Sequence, residues 1–137
     1  MIVDNEKREE YFASKNRNIT SYINVNDHDT FVRVPASLQQ VTHLSGDDKI
    51  LLSKIVSLAD NQRHYCYATD RMLAKQTGRS KRMIGYSLSK LERLGYIYKE
   101  NSFEYGDITT TRRKIYIHPL IKRLFDNLKN KKGSPLY

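Results

Sequence analysis

Thr69-Asp70-Arg71-Met72-Leu73-Ala74-Lys75-Gln76-Thr77-Gly78-Arg79-Ser80-Lys81-Arg82-Met83-Ile84-Gly85-Tyr86-Ser87-Leu88-Ser89-Lys90-Leu91-Glu92-Arg93-Leu94-Gly95 reads as two short helices joined by a glycine turn. Ser80 is a good N-cap for the second. Ile84, Leu88 and Leu91 follow at spacings of four and three, which places them on one face of a helix. Gly95 suits the C′ position that ends it. Opposite the apolar stripe fall Arg82, Gly85, Tyr86, Ser89 and Arg93, with Lys81 and Lys90 flanking it. The first helix has its own cap in Thr69 and its own apolar positions in Met72, Leu73 and Ala74. Gly78 stands at the turn, where a positive φ is cheap only without a Cβ.

An exposed face of donors, cations and one aromatic ring suits the major groove of a duplex. The plainer reading of the same face is a solvated amphipathic helix whose cations only keep the chain soluble. The flanking segments bear on the choice. After Gly95, Tyr96-Ile97-Tyr98-Lys99 and Arg112-Arg113-Lys114-Ile115-Tyr116-Ile117 are rich in β-branched and aromatic residues. They predict a hairpin whose long polar loop contains Gly106-Asp107. Upstream, Ser45-Gly46-Asp47-Asp48 predicts a capping box opening a helix in which Leu51, Ile55 and Leu58 share a face. His64-Tyr65-Cys66-Tyr67 suits a short third strand beside the hairpin. Further back, Phe31-Val32-Arg33-Val34-Pro35 reads as an extended entry that turns helical at Ala36-Ser37-Leu38, with Pro35 at the first helical position.

The order helix, short strand, helix, helix, hairpin resembles the winged helix-turn-helix superfamily, an α+β fold. The residues that carry the resemblance are Leu73-Ala74, Gly78, Ser80, Ile84, Leu88, Leu91 and Leu94-Gly95-Tyr96-Ile97. They are similar to the reading head of GntR-type regulators and to winged-helix domains of plasmid and phage replication proteins. The resemblance implies a double-stranded DNA partner. It also implies a homodimer, since many winged-helix proteins read two half-sites as dimers.

The chain of 137 residues is 39% hydrophobic, enough for one modest core. Net charge is +9, a balance that favours polyanion partners through phosphate neutralisation and counterion release. The charge is uneven. Over residues 1–30, Lys7, Arg8, Lys15 and Arg17 are outnumbered by Asp4, Glu6, Glu9, Glu10, Asp27 and Asp29, whereas 70–100 and 111–137 are cationic. No run approaches the roughly 18 apolar residues of a membrane span. The first residues lack the basic and apolar regions of a secretory signal. With a lone cysteine, Cys66, this leads to an expected cytoplasmic location.

Catalytic and metal motifs are wanting. His28, His43, His64, His118 and Cys66 contain one close pair, His64-x-Cys66, without a partner pair at zinc-site spacing. A half-buried strand cysteine is the expected state of Cys66. Gly78-Arg79-Ser80 lacks the upstream glycine and the lysine of a phosphate-binding loop. Neither an enzyme nor a cofactor is expected.

Three segments are therefore expected: a polar arm or tail over 1–30 with a possible helix at 6–15, a winged-helix domain over 31–118, and a C-terminal amphipathic helix with a basic tail over 119–137. The last helix has a stripe of Leu120, Leu124 and Leu128, with Ile121 and Phe125 beside it, to pack on its own domain or on a second copy. The expected DNA-binding set is Thr69, Arg79, Ser80, Lys81, Arg82, Gly85, Tyr86, Ser89, Lys90 and Arg93, with Arg112, Arg113 and Lys114 from the hairpin. Arg82, Tyr86 and Ser89 stand nearest base edges; Arg79, Ser80, Lys81, Lys90 and Arg93 mainly hold phosphates. Glu100, Glu104 and Asp107 oppose phosphate contact at the hairpin tip. The expected role is a small transcriptional regulator of a plasmid or phage. The alternatives are a replication or partition factor binding repeated sites with a protein partner, and an interaction module without nucleic acid.

Overall fold

Ser45 folds as the capping box predicts. Its hydroxyl accepts from the Asp48 backbone N–H and the Asp48 carboxylate accepts from the Ser45 N–H, both at 3.1 Å. The computed structural model describes residues 2–23, 32–60, 64–104 and 107–130, with side chains at 5–23, 32–60, 64–101 and 113–127. Its elements are α1 (Ile2–Thr20), α2 (Ala36–Gln39), α3 (Gly46–Ala59), α4 (Asp70–Thr77), α5 (Lys81–Arg93), β1 (Ile97–Glu104), β2 (Asp107–Ile117) and α6 (Pro119–Asn130). They fall into two units, Met1–Phe31 and Val32–Tyr137.

The first unit holds α1, whose helix runs well beyond the expected 6–15 at both ends. It is mostly polar, and Tyr11, Phe12 and Ile19 are exposed on it. The second unit is α+β and has the element order expected of a winged helix-turn-helix. Its centre is α3, where Leu51, Leu52 and Ile55 are fully buried and Leu58 half-buried. Leu73 of α4, Ile84, Leu88 and Leu91 of α5, and Ile97 and Ile115 of the hairpin close around it. Met72 departs from the expected core and is exposed, one residue away from the inward face that Leu73 occupies. Pro35 sits one place earlier than expected, as the N-cap of α2.

β1 and β2 pair antiparallel from Ile97↔Ile117 to Glu104↔Asp107, with an irregularity between Phe103 and Glu104. The expected long loop is thus corrected to a longer hairpin. The outer half of the hairpin lacks apolar alternation in its sequence, and the β-branched run Ile108-Thr109-Thr110-Thr111 favours strand there instead. The third strand contracts to a single bridge. Cys66 exchanges both backbone hydrogen bonds with Ile115, at 2.9 and 2.8 Å. Its side chain is fully rather than half buried, and that burial pushes the thiol pKa up, against the lowering effects of a backbone hydrogen bond from Ala68 and of the Arg113 charge.

His118 precedes α6, and its ring Nδ1 accepts from the Leu120 N–H at 3.1 Å, next to a proline at the first helical position. Phe125 joins the core, Ile121 and Leu124 pack against it, and Leu120 stays exposed. The helix therefore packs on its own unit through part of the expected stripe; the Leu128 side chain and residues 131–137 lie outside the described residues.

Candidate nucleic-acid interface

Two glycines in left-handed backbone shape the turn and the end of α5. Gly78 has φ 72°, and the N–H groups of Gly78 and Arg79 both reach the Ala74 carbonyl. Gly95 has φ 90°; its N–H meets Glu92 O at 3.0 Å and that of Tyr96 meets Leu91 O at 2.9 Å. Between them α5 is launched by Ser80, whose hydroxyl accepts from the Met83 N–H at 3.1 Å. Thr69 does the same for α4 through Met72.

Rotation of α5 about its axis decides what it presents. Burying Ile84, Leu88 and Leu91 contributes about 1.5–3 kcal/mol each, whereas an exposed ion pair contributes less than about 1 kcal/mol. The apolar stripe thus sets the rotation. Two polar residues on the inner side add a lock. Ser87, buried, donates to Asp48 Oδ1 at 2.7 Å, and Lys90 Nζ donates to Asp48 Oδ2 at 2.9 Å. Burial alone would raise the Asp48 pKa. The hydrogen bonds from Ser87, Lys90 and Ser45 outweigh it and hold the carboxyl at about 2.

The outer side carries Lys81, Arg82, Tyr86, Ser89 and Arg93, all exposed. Arg82, Tyr86, Ser89 and Arg93 are spaced four, three and four apart, a single line along the helix. Within it Arg82 Nε donates to the Tyr86 hydroxyl at 3.1 Å, and the guanidinium stands 5.6 Å from the ring centroid. Gly85 is half-buried, and a Cβ there would lie 3.9 Å from Asp70 Oδ2, an ordinary contact. Internal packing does not require the glycine.

Other expected contact residues are occupied within the fold. Lys90 is engaged with Asp48 and 34% exposed, so its assignment among the phosphate-holding residues changes to a strut between α3 and α5. Arg113 pairs with Asp70 Oδ1 through Nη1 and donates from Nη2 to the Ala68 carbonyl at 2.6 Å. It faces inward because it shares strand parity with the buried Ile115. The arginine ties β2 to the start of α4. Lys114, on the other face, stands 5.1 Å from the Tyr65 ring centroid. Arg79 is half-buried, with Nη1 buried and unpartnered among the described residues. Ser80 and Thr69 are exposed caps. The Arg112 side chain and those of Glu104 and Asp107 lie outside the described set.

The structure thus gathers Lys81, Arg82, Tyr86, Ser89 and Arg93 on one surface and sets Lys90 and Arg113 apart. The Asp48–Ser87–Lys90 cluster escapes a reading of spacing alone, although the capping box does point to Asp48. Among the described residues no group of three or more His, Cys, Asp or Glu is placed to hold a metal, and no helix is long and apolar enough to cross a membrane.

Against known families, the matching sequence profile is that described as a helix-turn-helix domain, and it spans α3, α4, α5 and the start of β1. The match covers residues 42–97, less than half of the chain. No curated protein sequence matches the chain. Among solved structures, the crystal structure of the Staphylococcus aureus MepR–DNA complex is similar at 18% identity and TM-score 0.45, covering 64% of this chain and 64% of that one. The chain thus spans under two thirds of that protein's length. A possible transcriptional regulator from Methanosarcina mazei has 12% identity and TM-score 0.43 over 66% of this chain and 75% of its own. A second structure of MepR, a transcription regulator of the Staphylococcus aureus multidrug efflux pump MepA, has 21% identity and TM-score 0.42 over 69% and 67%.

Proposed function

We propose that the protein binds double-stranded DNA with sequence preference through α5 and acts, without catalysis, as a small transcriptional regulator. The observation that carries this is the exposed line Arg82–Tyr86–Ser89–Arg93 on a helix capped at both ends and locked on its inner side by Asp48. The helix-turn-helix match over 42–97 supports it. Arg82 is the guanine reader and Tyr86 and Ser89 complete the base-edge contacts; Lys81, Arg93, Arg79 and the N-terminus of α5 hold phosphates. Lys114 and Arg112 supply cations from the wing. A single α5 reads only a few base pairs, so the working unit is a homodimer on two half-sites.

The plasmid or phage setting rests on the resemblance borne by Leu73-Ala74, Gly78, Ser80 and Leu94-Gly95-Tyr96-Ile97. Mobility shift with random duplex over a salt series, followed by footprinting on DNA flanking the coding region, tests the proposal. One protected block of two half-sites is the expected result. Several repeated blocks would assign a replication or partition role, and absence of any salt-dependent shift would overturn DNA binding in favour of a protein-interaction module.

A further inference from the structure

Strand parity divides the sheet into two faces. Ile97, Ile115 and Cys66 point to the core. Tyr98 and Tyr116, directly opposed in register, point the other way. Tyr65 and Tyr67 flank Cys66 and therefore share that outer face. The Tyr65 and Tyr116 ring centroids are 5.5 Å apart and those of Tyr65 and Tyr67 6.3 Å. Four of the chain's ten tyrosines thus form a row across β1, β2 and the Cys66 bridge. The rings at its two ends are partly exposed, Tyr98 at 60% and Tyr67 at 59%. Lys114 sits beside the row, its Nζ 5.1 Å from the Tyr65 centroid, and Glu100 opposes it in register.

We propose that this outer sheet face is a binding site for single-stranded DNA, distinct from the surface of α5. Rings held on a rigid sheet offer π-faces on which unpaired bases stack irrespective of sequence, and an adjacent ammonium takes a backbone phosphate. Charge complementarity favours a polyanion: the chain carries +9, and Lys114 is the cation standing over the row. Glu100 limits the site on that side, so the strand follows the tyrosines from Tyr67 towards Tyr98. The choice of DNA over RNA rests on the duplex-reading role proposed for α5; the stacking surface itself does not.

The test uses the full chain and a labelled oligothymidylate of about 12 nucleotides, with anisotropy as one readout and tyrosine emission as the other. The chain has no tryptophan, so tyrosine quenching reports directly on stacking. Tyr98→Ala and Tyr67→Ala are expected each to weaken single-strand binding roughly 10-fold while duplex affinity stays within about twofold. Tyr98→Phe, which keeps the ring, retains binding. Arg82→Ala behaves in the opposite way, losing duplex preference and keeping the single strand. Thermal unfolding of each variant checks that the fold is intact. Absence of saturable single-strand binding, or alanine variants equal to the parent, overturns the proposal even where duplex binding stands. Preference for the matching oligoribonucleotide overturns the choice of DNA. A change in sedimentation mass of the tyrosine variants without any effect on oligonucleotide binding would reassign the face to contact between proteins.

Discussion

Lys81 and Arg82 are sequence neighbours and both exposed, yet they have different expected effects. In the proposed duplex-reading mode Arg82→Ala removes a bidentate base contact, so a binding-site selection should show relaxed preference at one position at a cost of about 1–3 kcal/mol. Lys81→Ala should weaken binding to all sequences alike and reduce the slope of log K against log salt by about 1. If the two variants gave the same selected sites, these roles would be wrong. Lys90 belongs to another class. Its removal leaves Asp48 buried with one partner fewer, so Lys90→Ala should lower unfolding stability by about 1–2 kcal/mol, an amount reduced from that of a buried pair because the lysine is partly exposed. Denaturant titration checks this.

At the scale of elements, α5 contains a glycine that its neighbours do not demand. Gly85→Ala should stabilise the protein by about 0.5–1 kcal/mol through helix propensity, because the added Cβ meets only an ordinary contact with Asp70. If a phosphate or base edge approaches closely there, the same variant should lose duplex affinity while gaining thermal stability. Gly78→Ala has the opposite sign, since its φ of 72° disfavours a side chain by about 1 kcal/mol. The caps at Ser45, Thr69 and Ser80 and the glycines at 78 and 95 are legible in the sequence because their partners lie within a few residues. Inward apolar positions are equally legible where they repeat at helical spacing, as Ile84, Leu88 and Leu91 do. Ser87, Lys90 and Arg113 are not, because their partners lie 39 to 45 residues away. The hairpin length is half legible: the apolar base announces itself by burial, and the outer half shows only in its threonines.

For the molecule as a whole, acidity is the informative variable. Asp48 titrates at about 2 in the folded chain against 3.8 without its surroundings. The carboxylate therefore contributes about 2 kcal/mol of stability that is fully present above pH 4 and is lost as pH falls through about 2. Unfolding midpoints measured between pH 5 and 2, at roughly these bounds, should fall in the parent and fall less steeply in Asp48→Asn, which starts from lower stability. A parallel pH dependence in both would show that another group governs acid unfolding. The same carboxylate begins α3 and fastens α5, so the two helices keep a common reference point. Because the described residues that grip α5 all lie on its inner side, residues 82, 86, 89 and 93 can be exchanged as a set without disturbing that mounting. If α5 reads a duplex as proposed, the protein is a ready chassis for retargeting: new sequence preferences can be installed by library substitution at those four positions, at little cost to folding.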